Sequence, residues 1–211
     1  LNGNISARAD NEILMTAHGT CLRLLQEKDI LRLDLNGHLL EKGDVSTEKL
    51  MHTDVYKNLP SVNAVIHTHT SYTNGFFLGA DTFRSEILES KICLGEVKSI
   101  DQNTPSVTDT APVIALLKNN NIVALRRHGA LAVGKTLMDC FVLIQGLEEA
   151  IKTDFISRAY KAHGFAESLP GVKNVSSVPA AGKKFKLFSR EQIDAIVRMV
   201  NSDEKLAELG A

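Results

Sequence analysis

His67-Thr68-His69 and, about sixty residues later, His128-Gly129 carry the side chains best suited to chemistry in this 211-residue chain. Alternate residues of a β-strand share a face roughly 6.6 Å apart, so His67 and His69 can grip one ion together. The Val62-Asn63-Ala64-Val65-Ile66 run ahead of them predicts the strand. A third imidazole from a distant strand, His128, would complete a three-histidine site with a fourth position open, the pattern of catalytic rather than structural zinc. The pair alone also fits one buried histidine bonded to backbone and a second at the strand's mouth.

A carboxylate near such an ion can act as general base, and Glu48 in Ser46-Thr47-Glu48-Lys49-Leu50-Met51-His52 is the candidate. Ser46 or Thr47 can cap a helix here, which leaves Glu48 in its first turn and on one face with His52. Spacing alone equally allows an ordinary glutamate answering the helix dipole. Gly3-Asn4, His18-Gly19 and Ser46-Thr47 are short turns whose backbone N–H groups and hydroxyls can receive an anion. Arg126-Arg127 can attract one, although adjacent strand residues face opposite ways.

The elements that must position these residues follow from patterning. Asn4 to Arg8 and Glu12 to Thr16 read as strands around a turn at Asp10-Asn11. Asp29 to Leu35 is another, and Asn36-Gly37 predicts a hairpin returning through His38 to Glu41. A helix runs from Ser46-Thr47 to about Lys57, and a strand over Asn63–His69 leads into a helix at Ser71 to Leu78. Residues 92–100 read as irregularly connected strands, Thr110 to Lys118 as a helix, and Ile122 to Arg127 as a buried strand. Ala130 to Val133 turns back as the next strand. Thr136-Leu137-Met138-Asp139 opens a helix to about Ala162, residues 164–188 form an irregular connection, and a final amphipathic helix follows Ser189. Strands exceed what simple alternation gives, which predicts an α/β fold with a mixed sheet and helices on both faces.

Composition narrows the function classes. Hydrophobic residues at 44%, charged residues at 23% and a formal charge of −1 suit a soluble domain with no preference for nucleic acid or anionic membranes. Cys21, Cys93 and Cys140 form no CxxC pair and no disulfide framework, which predicts a cytoplasmic protein. No segment reaches the ~18 apolar residues of a membrane span. The chain opens at Leu1 with a Gly-Asn motif at once, which leaves truncation, processing and renumbering open.

In order, Gly3-Asn4-Ile5-Ser6, Thr16-Ala17-His18-Gly19, Ser46-Thr47-Glu48, Ala64-Val65-Ile66-His67-Thr68-His69, Arg127-His128-Gly129 and Leu147-Glu148-Glu149-Ala150 resemble the class II aldolase/adducin family. The likeness is to the fuculose- and ribulose-phosphate aldolases in particular, and covers roughly residues 2–155. It implies a three-layer α/β/α domain over 1–163, preceded in the family by a further helix. The tail from about Gly164 exceeds the short aldolases, and 164–211 is expected as an extension packed on the same domain, over a site or an interface. It also implies a homotetramer with sites between subunits. His67, His69 and His128 match the zinc ligands, Glu48 the catalytic acid/base, and Asn4, Gly19, Ser46 and Thr47 the positions that hold a substrate phosphate. The implied activity is retro-aldol cleavage of a small sugar phosphate, with Zn2+ (or another divalent metal) as Lewis acid and Glu48 shuttling the proton.

Two departures widen the expectation. The family's Thr-Pro-Thr-Gly turn is Thr16-Ala17-His18-Gly19 here, so His18 admits a carboxylate in place of phosphate. The family's tyrosine donor, drawn from a neighbouring subunit, is absent from a region holding Phe83, Glu86, Leu88 and Glu89, and Tyr160 is the replacement offered. A hydroxy-carboxylate decarboxylase and a sugar-phosphate dehydratase therefore stay in play, whereas an epimerase would show aspartate at Glu48. Adducin-like binding modules lack the intact histidine set.

Overall fold

The computed structural model describes residues 3–162. All of them lie in one unit of the chain, Leu1–Ser168. The expected 164–188 connection, the helix after Ser189 and the packing of 164–211 lie outside the described residues.

Eight strands form one mixed sheet: β1 Gly3–Ala9, β2 Glu12–Thr16, β3 Ile30–Asp34, β4 Ala64–Thr68, β5 Thr82–Arg84, β6 Glu96–Asp101, β7 Ile122–Arg126 and β8 Gly129–Gly134. Their order is β3-β2-β1-β4-β8-β7-β6-β5, and β6–β7 is the parallel pair. Helices α1 Lys49–Asn58 and α4 Ala111–Leu117 cover one face, with Met51, Val55, Val113 and Leu117 against Val65, Val123, Leu125, Leu131 and Val133. Helices α2 Ser71–Phe77, α3 Leu88–Leu94 and α5 Leu137–Ala162 cover the other, with Phe77, Leu94, Ile144 and Leu147 against Ile66, Ala124, Ala130 and Ala132. The expected three-layer α/β/α fold is therefore what the chain adopts. Strand β4 explains its own sequence. It is buried at every position, because Ala64 and Ile66 feed one core while Val65 feeds the other.

Local chemistry sets most of the boundaries. Asp10 takes φ 52 in the β1–β2 turn, a conformation that aspartate tolerates better than most residues. The box at the start of α5 is reciprocal: Asp139 Oδ2 accepts from the Thr136 N–H at 2.9 Å, and Thr136 Oγ1 accepts from the Asp139 N–H at 3.1 Å.

Two expectations are corrected. The turn at Asn36-Gly37 forms, with Gly37 at φ 88, but the return to Glu41 is a single bridge, Leu33 with Leu39. Asp34 spends its carboxylate on the N–H groups of Asn36 and His38, which closes the turn locally instead of extending a ladder. Residues 92–94 are the end of α3, and the strand begins only at Glu96 beyond Gly95, whose φ of 60 terminates the helix. Short β5 was not anticipated.

Candidate metal centre

Two chain segments bring three histidines to one end of β4. His67 sits in β4, His69 just beyond its last residue, and His128 in the two-residue turn between β7 and β8. Pairing of β4 with β8 sets His67 opposite Leu131 and Thr68 opposite Ala130, which carries the β7–β8 turn to the histidine end of β4. Arg127 occupies φ 66 to make that turn, and the His128 N–H closes it on the Leu125 carbonyl at 2.9 Å. From α2, Asn74 Nδ2 donates to the His128 carbonyl at 3.2 Å.

The imidazoles present the same atom to one point. His67 Nε2 lies 2.9 Å from His69 Nε2 and 3.3 Å from His128 Nε2. His67 Nδ1 donates to the Ala130 carbonyl at 3.0 Å, so the proton sits on Nδ1 and the Nε2 lone pair is free. Burial, then the neighbouring histidines, hold His67 well below its ordinary pKa. Burial also lowers His69, and burial with His69 nearby brings His128 to about 4. All three are thus neutral bases near pH 7. Three imidazole Nε2 atoms gathered this closely form the donor set of a catalytic zinc-type site, each able to offer a lone pair once its proton is on Nδ1, as it is in His67. The three residues could hold a divalent ion.

Glu48 closes the site from the α1 side. It is the N-cap of α1 rather than a first-turn residue, because Ser46 and Thr47 form the preceding turn: Ser46 accepts from the Glu48 N–H through Oγ and from the Lys49 N–H through its carbonyl. Its side chain does not cap the helix. Instead Oε1 lies 3.8 Å from His128 Nε2, and Oε2 accepts from the Val107 N–H at 3.2 Å. Only 3% exposed, the carboxyl is pushed above the usual carboxylate range by burial, with the hydrogen bonds from Val107 and Ser106 opposing. Val107 escaped sequence reading, since a backbone amide donor leaves no mark on residue type.

The remaining candidates divide. Asn4 is buried and faces His67 directly in the β1–β4 register. The Thr16–Gly19 and Asp44–Glu48 segments run side by side: Ala17 bridges Val45, His18 N–H bonds the Asp44 carbonyl at 2.7 Å, and Ser46 N–H bonds the Thr16 carbonyl at 3.3 Å. Ser46 is buried there, while Thr47, His18 and Gly19 are exposed, Gly19 at φ 72. Tyr160 is exposed on the last turn of α5. Phe83 is buried in the core and offers no donor. Arg126 is committed to Asp81 and Asp101 and to the Ser99 hydroxyl, whereas exposed Arg127 donates from one nitrogen to Asn103 at 3.2 Å. Glu148, from the Leu147–Ala150 segment, caps α2 by accepting from the N–H groups of Tyr72 and Thr73, both at 2.9 Å, and so anchors the helix that follows His69.

Glycine at 129 is demanded by the close approach of the start of β8 to the end of its sheet neighbour β4. A Cβ there would lie 2.1 Å from the Thr68 carbonyl oxygen, a backbone atom held in the sheet. Gly129→Ala is expected to destabilise the protein by about 3 kcal/mol or more and displace His128. Gly75→Ala, where a Cβ meets nothing within 4 Å, is expected to be tolerated. Urea midpoints for the two variants check this; equal midpoints would refute it.

Similarity to known proteins agrees with this geometry. The profile of the Class II Aldolase and Adducin N-terminal domain matches residues 1–155. An L-fuculose phosphate aldolase of Methanococcus vannielii is 30% identical over 158 residues, 75% of this chain and 86% of that one. A 3-oxo-tetronate 4-phosphate decarboxylase of Haemophilus influenzae is 27% identical over 170 residues, 75% of this chain and 79% of that one. The crystal structure of l-fuculose-1-phosphate aldolase from Thermus thermophilus superposes with TM-score 0.71 at 28% identity, covering 77% and 86% of the two chains. The chain belongs to the class II aldolase/adducin family.

Proposed function

We propose that this protein is a metal-dependent lyase that breaks a carbon–carbon bond of a small sugar phosphate by retro-aldol chemistry. The observation that carries the reading is the meeting of three neutral Nε2 atoms with one buried carboxylate. His67, His69 and His128 hold the ion, with zinc the first choice and other divalent metals compatible with imidazole. When bound, it supplies Lewis-acid polarisation of the substrate's carbonyl and hydroxyl oxygens.

In a retro-aldol step a hydroxyl proton leaves as the carbon–carbon bond breaks, and the bond's electron pair stays with the carbonyl fragment. That fragment then takes a proton at carbon. Glu48 is assigned the proton transfer, since burial raises its proton affinity towards the working range. The rim of Asn4, Gly19, Ser46 and Thr47 is assigned to the phosphate, with His18 beside it; both relatives named above act on phosphates by their names. Tyr160 is offered as the second proton donor, reaching a neighbouring subunit of a homotetramer. Exposed Met138, Phe141, Val142, Phe155 and Ile156 along α5 support association. No helix among the described residues is long and apolar enough to cross a membrane. The exposed unpaired thiols of Cys21 and Cys93 support a reducing, cytoplasmic location.

A second reading, decarboxylation of a phosphorylated or plain hydroxy-carboxylate, is favoured by His18 in the turn and by the decarboxylase relative. The test is product detection from a panel of ketose phosphates and hydroxy-carboxylates, with and without a chelator. An aldehyde that disappears on chelation supports the aldolase. Carbon dioxide without aldehyde sinks it, and stoichiometric absence of metal from active protein sinks both.

A further inference from the structure

A chain of buried polar groups runs behind the candidate metal centre, and beyond Asn4 its members have no part in the chemistry just proposed. Asn4, Ser6, His52 and Tyr56 are 6%, 1%, 0% and 3% exposed. His52 Nε2 lies 2.6 Å from Asn4 Oδ1. His52 Nδ1 lies 2.7 Å from Ser6 Oγ, which is 2.8 Å from the Tyr56 hydroxyl. An amide oxygen can only accept, so Nε2 carries the proton and Nδ1 accepts. Ser6 must then donate to His52 and accept from Tyr56. The whole chain points one way, from Tyr56 through Ser6 and His52 to Asn4.

Its outer end is fixed. Arg8 lies over the Tyr56 ring at 5.4 Å, and Arg8 Nη2 donates to the Val62 carbonyl at 2.5 Å. Its inner end is Asn4, whose oxygen is consumed by His52 and whose Nδ2 has no protein partner among the described residues. Asn4 and His67 oppose each other in register, so their side chains share a sheet face, the one on which His67 turns its Nε2 to the other histidines. Burial holds His52 at about 3, so the ring stays neutral at working pH and its contact with the Asn4 oxygen decides which nitrogen carries the proton.

We infer that His52 is a positioning residue: it binds the Asn4 amide by its oxygen and so turns the Asn4 NH2 group into the site as a donor to an anionic oxygen of the substrate. The inference deepens the lyase reading and rests on it for the substrate, but the orientation of the amide does not require catalysis. An asparagine with both ends free can present oxygen or nitrogen with equal ease, and oxygen would repel a phosphate. The relay removes that ambiguity. His52→Gln can place an amide N–H near the position of Nε2 and keep the bond, whereas His52→Leu keeps bulk and removes it.

The experiment uses the full metal-loaded protein, His52→Leu, His52→Gln, Asn4→Ala and the double variant His52→Leu/Asn4→Ala. Inorganic phosphate binding is followed by calorimetry and the Asn4 side-chain amide by 15N NMR. KM, kcat and metal content are measured beside them. His52→Leu is expected to weaken phosphate binding and raise KM by roughly 10- to 100-fold, the scale of one lost buried hydrogen bond, with kcat nearly unchanged and metal retained. His52→Gln is expected to recover most of that loss. The double variant is expected to be no worse than Asn4→Ala, because both changes remove one device. In the wild type the Asn4 NH2 resonance should shift on phosphate addition. Additive losses, a KM unmoved by His52→Leu, or an Asn4 resonance indifferent to phosphate would each overturn the inference. A wild type that binds phosphate yet cleaves no sugar phosphate would sink the lyase reading alone, and the NMR and calorimetry would still decide the relay.

Discussion

Replacing His69 by alanine is expected to empty the site of metal and abolish turnover while leaving the fold in place. His69 supplies one of three Nε2 atoms, and two imidazoles retain too few donors to compete with water for an ion kept open for catalysis. The loss of affinity should exceed the ~10- to 100-fold typical of removing a residue that only supports a ligand. The position itself tolerates truncation, since His69 lies just beyond β4, is half-buried, and takes no part in either apolar core. His67 is the poorer choice for this test. It is fully buried and bonds the Ala130 carbonyl, so its removal confounds metal loss with damage to the β4–β8 pairing. Elemental analysis, unfolding curves and product assays on His69→Ala separate the two effects. Stoichiometric metal together with unchanged turnover would remove the metal-dependent reading.

Glu48→Gln is expected to separate chemistry from binding. The amide keeps the shape of the side chain, and its oxygen can still accept from the Val107 N–H. The histidines keep their supports, because His128 is held through its own backbone by Leu125 and Asn74. Metal content and thermal stability should therefore stay near those of the wild type. What goes is the carboxylate that exchanges a proton, and general acid–base groups contribute typically ~10²- to 10⁴-fold. A fall of that size in kcat with little change in KM is the expected result. A kcat within a factor of about two of the wild type would show that Glu48 is a structural group at the head of α1, and would move the proton transfer elsewhere.

Residue type and order made much of this legible. The apolar run before His67 marks a strand buried on both faces, and alternation along it predicts that His67 and His69 share one side. The capping pair Thr136 and Asp139 marks the start of α5 correctly. These are local properties, set by period and by side chains a few residues apart. Glu48 was legible as a candidate acid through its place before α1, yet its exact position at the N-cap was not, since Ser46 and Thr47 compete for the same turn. The return from Asn36-Gly37 failed for a similar reason: a turn signal says that the chain reverses, and whether the arms then pair depends on neighbours elsewhere.

By itself the sequence determined the α/β class, the identity of the histidines and the carboxylate, and, through the ordered motifs, the family. Whether three imidazoles 2 and 59 residues apart turn the same nitrogen to one point was decided only by tertiary structure. That convergence depends on the β4–β8 register, on a strained turn at Arg127 and on a glycine with no room for a methyl group. The same holds for Val107 and for His52. A backbone amide has no signature in residue type, and a histidine on an apolar helix face looks the same in sequence whether it fills a core or aims an asparagine. Directional bonds between residues 46 to 59 positions apart exist only once the sheet and α1 have packed.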